Sequence, residues 1–173
     1  MKNWLPFLSV ALGAIGCRTL PVGSSDFDWT IGTWRGVRRD AADGSEAPMT
    51  LRVERLATGI GQLRVLAVTP AGGATYRGAA VVLFDADAGR WVWQYTNAPE
   101  RAFARYVGPP GARGELARSE WRSVSPGRTR ESRLVSERLP DGRWRRSMST
   151  APLGEDSWQP LWTDELVRDP DPD

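Results

Sequence analysis

From Phe27 onward, apolar and polar residues alternate in short runs, and dense turn chemistry separates the runs. Trp91, Trp93 and Tyr95 fall on one parity of such a run, with Val92, Gln94 and Thr96 on the other. Leu63, Val65 and Ala67 share a face, as do Trp158, Trp162 and Leu166, and arginines recur on the opposite parity at Arg52, Arg64, Arg133 and Arg145. No window sustains a helical period. The breaks fall at Asp43-Gly44, Ala71-Gly72-Gly73, Asp85 to Gly89, Pro109-Pro110-Gly111, Ser125-Pro126-Gly127, Pro140-Asp141-Gly142 and Gly154-Glu155-Asp156. Turn signals spaced roughly 10 to 20 residues apart mark an all-β meander.

The pattern predicts about ten strands, over residues 29–38, 48–56, 61–69, 75–84, 90–96, 102–107, 114–122, 129–139, 143–150 and 158–168. An open sheet of that width exposes two edges, and closing it removes them. The expected architecture over residues 27–168 is therefore a single antiparallel up-and-down β-barrel, with a two-sheet sandwich as the alternative. Residues 169–173 alternate Asp and Pro and are expected to form a disordered acidic tail.

The N-terminus has a different grammar. Lys2 precedes an apolar run from Trp4 to Ile15, broken only by Pro6, Ser9 and Gly13. That run is shorter than the roughly 20 residues a membrane-spanning helix needs, and it reads as a signal peptide over residues 1–16. Ala14-Ile15-Gly16-Cys17 resembles a lipobox, with the chain's single cysteine where lipidation requires it. The expectation is an exported protein, lipid-anchored through Cys17, with residues 17–26 as a polar tether. Arg18 in place of an aspartate after Cys17 favours the outer membrane, by resemblance to Gram-negative lipoproteins. Ordinary signal cleavage at the same bond is the other reading.

Composition narrows the chemistry. A chain of 173 residues with 40% hydrophobic content supports one domain with its own core. A net charge of +2 gives no argument for nucleic acid or for an anionic membrane surface. A histidine count of 0 removes a histidine general base, histidine-ligated haem and the common zinc sites together. With 1 cysteine no intrachain disulfide can form, and 9 tryptophans suit a barrel or a stacking pocket.

Three motifs carry a resemblance. Asp26-Phe27-Asp28-Trp29-Thr30-Ile31-Gly32-Thr33-Trp34 opens the domain, and Phe84-Asp85-Ala86-Asp87-Ala88-Gly89-Arg90-Trp91 lies in its middle. Leu139-Pro140-Asp141-Gly142-Arg143-Trp144, then Glu155-Asp156-Ser157-Trp158 and Arg168, complete the set. In this order they resemble a family of small bacterial lipocalin-like proteins of uncharacterised function, over residues 26–168. Gly32, Trp34 and Gly36 also look like the start of the nitrobindin pattern, but Arg38 stands where that pattern has glycine. Nitrobindins hold haem through histidine, so haem binding is not carried over and no cofactor is expected. The resemblance implies that Arg168, from the final strand, packs over the entry tryptophan Trp34 and closes the barrel.

The candidate ligand-contacting residues are Trp91, Trp93, Tyr95, Trp121 and Trp144, either as a stacking platform or simply as barrel filling. Glu54, Glu120, Glu131 and Glu137 read as cross-strand partners for arginine rather than as acid or base. Ser123, Ser125, Ser147 and Ser149 have no histidine or lysine base to activate them. Asp85 and Asp87 read as turn caps, and no metal site is expected. The functional expectation is a barrel that binds a small apolar or amphipathic ligand, with one or two arginines for an acidic head group. Its contact with the membrane would be through the lipid anchor only, and no nucleic acid is expected. Two alternatives stay open: a calycin-type enzyme using a buried carboxylate or a tyrosine such as Tyr95 or Tyr106, and a structural lipoprotein with a filled barrel.

Overall fold

Each alternating run is a strand in the computed structural model, which describes residues 25–97, 103–112, 115–123 and 129–170. The signal peptide, Cys17, the tether up to Ser24 and the last three residues of the tail lie outside the described residues. A short 3-10 turn, Asp28–Thr30, leads into ten strands: β1 (Gly32–Asp40), β2 (Glu46–Arg55), β3 (Gly61–Val68), β4 (Tyr76–Asp85), β5 (Arg90–Asn97), β6 (Phe103–Pro110), β7 (Arg118–Ser123), β8 (Arg130–Arg138), β9 (Trp144–Pro152) and β10 (Gln159–Arg168). Every strand pairs antiparallel with its neighbour in sequence, and β1 pairs with β10, so the sheet is a closed up-and-down barrel. Closure gives every strand a partner on both sides, the β6–β7 ladder being the shortest, and this is the reason such a strand count favours a barrel over a sheet.

The 3-10 turn sits across the end at which β1 begins, called the plugged end below. The connections 56–60, 86–89 and 139–143 lie there, and 41–45, 69–75 and 153–158 lie at the open end. Most inward positions are apolar. Trp34, Leu51, Val53, Val82, Trp91, Trp121, Leu134, Trp144 and Leu166 are all buried. Burying a side chain of this size contributes about 1.5–3 kcal/mol, so this inward stripe is the main stabilising element.

Four departures from the sequence reading have physical causes. The first strand starts at Gly32, because residues 28–30 form the plug turn instead. The seventh starts at Arg118, because the preceding segment docks on the plug: Leu116 N donates to Asp26 O at 2.7 Å. Asp26 belongs to the barrel rather than to the tether. It is fully buried, and its Oδ2 accepts from Trp91 Nε1 at 2.8 Å and from Ala112 N at 2.9 Å. Asp169 likewise leaves the tail, pairing with Arg35 at 2.6 Å and donating its N–H to Thr33 O at 2.8 Å.

Two strands face differently from what their apolar residues suggest. In β3 the inward parity is Gln62, Arg64, Leu66 and Val68, and Val65 is 45% exposed on the outer wall. In β10 the register shifts between Pro160 and Trp162, so Trp162 turns inward while Trp158 lies outside against Arg133, 4.2 Å from its ring centroid. One extra residue reverses the parity of everything before it. Val92 is on the outer wall as its parity requires, yet it is buried, flanked by its register partners Leu83 and Val107.

Candidate functional site

The plugged end is built from indoles with satisfied N–H groups. Thr30 Oγ1 donates to Phe27 O at 2.7 Å, which locks the turn, and Trp34 Nε1 donates to Thr30 O at 2.8 Å. Trp29 Nε1 donates to Leu116 O at 3.1 Å, and Trp144 Nε1 to Ser136 Oγ at 2.7 Å. The three rings meet edge to face, with centroids 6.3 Å (Trp29–Trp34), 5.4 Å (Trp29–Trp144) and 5.3 Å (Trp34–Trp144) apart. Such pairs add about 0.5–1.5 kcal/mol each beyond area burial.

Closure lies beside this cluster. Trp34 and Arg168 are register partners, and the Arg168 guanidinium carbon is 5.9 Å from the Trp34 ring centroid. Arg168 Nη2 donates to Ile31 O at 2.5 Å. Gly32, at φ +129°, makes this possible: a Cβ there would lie 3.1 Å from the guanidinium, in a backbone conformation that side chains rarely adopt. Gly36 permits the close approach of β1 to β10, since a methyl group there would run into the Glu165 carbonyl.

Toward the open end the barrel holds a cavity of about 500 Å³. Leu66, Trp93 and Arg146 are buried and form its floor; Val68, Tyr76, Tyr95, Tyr106, Met148 and Trp162 wall it; Asp40 and Leu161 are at the exposed rim. Tyr76 and Tyr95 join through their hydroxyls, and Asn97 Nδ2 donates to Tyr76 Oη at 3.0 Å. A second depression of about 580 Å³ lies outside the plugged end, between Asp28, Trp29, Glu115, Arg138 and Arg143. Arg138 is matched there by Glu115 at 3.1 Å and Arg143 by Asp141 at 2.7 Å, and Arg168, exposed, is held by the Ile31 carbonyl. The inner cavity is therefore the stronger candidate, because it is bordered by buried side-chain donors without a hydrogen-bond partner among the described residues.

That floor is charged. Asp164 is fully buried and takes two bonds from Arg38, Nε to Oδ1 at 2.7 Å and Nη2 to Oδ2 at 3.0 Å. Across the next strand pair Arg146 Nη1 lies 3.6 Å from Asp164 Oδ2, too long for a hydrogen bond. Arg146 is 3% exposed, and its Nε and Nη1 have no hydrogen-bond partner among the described residues; nor has Trp93 Nε1. Indoles surround the Arg146 guanidinium, with centroids at 5.8 Å (Trp93), 5.6 Å (Trp144) and 5.7 Å (Trp162). Beneath the floor, Arg64 Nη2 donates to Gln62 Oε1 at 3.0 Å. Burial, and then the neighbouring Arg146 cation, pull Arg64 down to about 9. Burial also lowers Arg146, against the opposing pull of Asp164.

The five candidate rings divide between the two regions. Trp93 and Tyr95 line the cavity. Trp91, Trp121 and Trp144 do not: they are packed below it with their N–H groups committed to Asp26, Ser119 and Ser136. Contact with a cavity-bound molecule is thus open to Trp93 and Tyr95 only. Sequence reading did not single out Arg38, Arg146 or Asp164 as site residues, and it set Arg64 on the parity opposite the apolar residues of its strand. For Arg146 and Asp164 a signal was present, since each shares its parity with apolar residues, as in Trp144-x-Arg146-x-Met148 and Trp162-x-Asp164-x-Leu166.

No protein-family model matches the chain, and no curated protein matches it. The functional reading therefore rests on the site's own geometry.

Proposed function

We propose that this is a binding protein whose barrel holds a small apolar or amphipathic molecule in the open-end cavity. The carrying observation is the cavity itself: about 500 Å³, walled by Trp93, Tyr95, Tyr106, Met148 and Trp162, with a few convergent polar groups at its floor. Ligand sites of this kind span about 300–1,000 Å³. Asp164, the buried carboxylate at the floor, has both oxygens bound to Arg38, which favours binding over acid–base chemistry. The kinship with uncharacterised lipocalin-like proteins is part of the same proposal, the closed barrel being the common ground.

The neutral fluorescent probe N-phenyl-1-naphthylamine tests this reading. Its emission should rise on titration with the protein, and Met148→Trp, which fills the cavity, should abolish the rise while thermal unfolding stays cooperative. No rise, or a rise that survives Met148→Trp, overturns it.

The setting belongs to the proposal too: export directed by residues 1–16, with lipid on Cys17 holding the barrel at the cell envelope. Labelled palmitate should enter the wild type and not Cys17→Ser. Label retained in the variant, or absent from both, refutes the anchor and leaves the cavity reading untouched.

A further inference from the structure

We propose that the molecule held in the cavity is an amphipath with a carboxylate head, seated on Arg146 with its apolar chain toward the mouth. This rests on the binding reading above and names the ligand class.

Charge at the floor is unbalanced. Arg38 and Arg146 flank one carboxylate, Asp164: Arg38 hydrogen-bonds both its oxygens, Arg146 stands at an ion-pair distance of 3.6 Å, and Arg64 shares the Trp144 ring with Arg146. Among the described residues no other carboxylate pairs with Arg146. Asp26 is held at the plugged end by Trp91 and Ala112, and Asp40, exposed at the rim, accepts from Ala42 N at 2.8 Å. Two cavity-lining cations, Arg38 and Arg146, thus share one buried carboxylate, and Arg146 has the longer, weaker contact. The excess positive charge calls for one negative charge, which a carboxylate supplies.

The unsatisfied donors sit on neighbouring residues. Arg146 Nε and Nη1 and Trp93 Nε1 lack partners among the described residues, and the Arg146 guanidinium lies 5.8 Å from the Trp93 ring. Both residues border the same cavity. Neither group accepts a hydrogen bond, so an ammonium head finds repulsion and no acceptor there. A hydroxyl can accept from one donor without balancing the charge, whereas a carboxylate supplies acceptors and balances it.

The orientation follows from strand direction. β9 runs from the plugged end to the open end, so Arg146 is one inward position deeper than Met148. β10 runs the other way, so Asp164 lies deeper than Trp162. Val68, Met148, Leu161 and Trp162 therefore line the part nearer the mouth, where an apolar chain leaves water.

Displacement of N-phenyl-1-naphthylamine from the full chain by decanoate, 1-decanol and decylammonium tests the head group at constant chain length. Decanoate should bind about tenfold or more tighter than decanol, the scale of a charge-assisted hydrogen bond, and decylammonium weakest. Arg146→Gln should erase the preference for decanoate and leave decanol unchanged. Trp93→Phe, which keeps a ring and removes one donor, should weaken decanoate more than decanol; if Arg146→Gln does not fold, this variant and the wild-type series decide. Equal binding of decanoate and decanol overturns the carboxylate and leaves the binding reading standing. So does a preference that survives Arg146→Gln, or a bound probe that none of the three displaces. A probe that does not bind at all overturns both.

Discussion

At the plugged end and just above it, Trp29, Trp34, Trp91, Trp121 and Trp144 each deliver their N–H to an acceptor. Around the cavity, the Trp93 N–H and two donors of Arg146 reach none. Elsewhere, Asp26 Oδ1 at the plug and Arg133 Nε on the outer wall are the other buried side-chain atoms without a partner among the described residues. An unmatched buried donor or acceptor costs about 1–3 kcal/mol. The same barrel thus has one half organised for stability and one half that carries polar groups at a cost to stability. Local rules of packing and hydrogen bonding are broken chiefly where a site is expected.

The largest effects should come from the packed half. Trp144→Ala removes a fully buried ring from the three-indole cluster and should cost about 3–5 kcal/mol in urea unfolding. Trp93→Ala should cost clearly less, because that ring borders the cavity and loses fewer contacts. Equal losses would erase the contrast between the halves.

Next comes a gain. Arg64→Met should stabilise the protein by about 1–4 kcal/mol, since a buried charge without a carboxylate partner gives way to an apolar side chain of similar length. The pH dependence sharpens this. Arg64 is lowered from the ordinary guanidinium value to about 9 by burial and by the Arg146 charge, so above pH 9 the unfolded chain binds more protons. Wild-type stability should then rise with pH across that window. The advantage of Arg64→Met should accordingly be full below pH 9 and shrink above it. A variant less stable than wild type at neutral pH would show that the guanidinium is a structural asset.

Gly36→Ala should cost about 1–3 kcal/mol, by forcing β1 away from the Glu165 carbonyl. Thermal unfolding indistinguishable from wild type would mean that the two strands are free to separate there. The smallest effect is the coupling of Trp34 with Arg168. A double-mutant cycle with both alanine variants should return about 0.5–1 kcal/mol, the value of a partly exposed cation–π contact. Strict additivity would reduce Arg168 to an ordinary surface charge.

Strand count, order and turn positions were legible because they depend on local chemistry: period-two alternation and Gly, Pro and Asp breaks at regular intervals. Closure followed from the need to pair both edges of so many strands. The aromatic inward face of β5 was legible for the same local reason. The faces of β3 and β10 were not. In β3 both parities carry apolar residues, so alternation alone could not say that Arg64 points inward. In β10 a single shifted residue after Pro160 detached Trp158 from Trp162.

By itself, then, the sequence determined the all-β meander, its ten strands and the ring-rich inner wall. Those properties are summed over neighbours within one strand. Only the tertiary structure decided that Arg38, Asp164 and Arg146 line up across β1, β10 and β9, more than a hundred residues apart along the chain at their extremes. It alone decided that Arg38 hydrogen-bonds both oxygens of Asp164 while Arg146 stands 3.6 Å away with two donors unpartnered among the described residues. Register between strands distant in sequence is fixed by closure of the whole barrel, and no local pattern encodes which charge is matched and which remains.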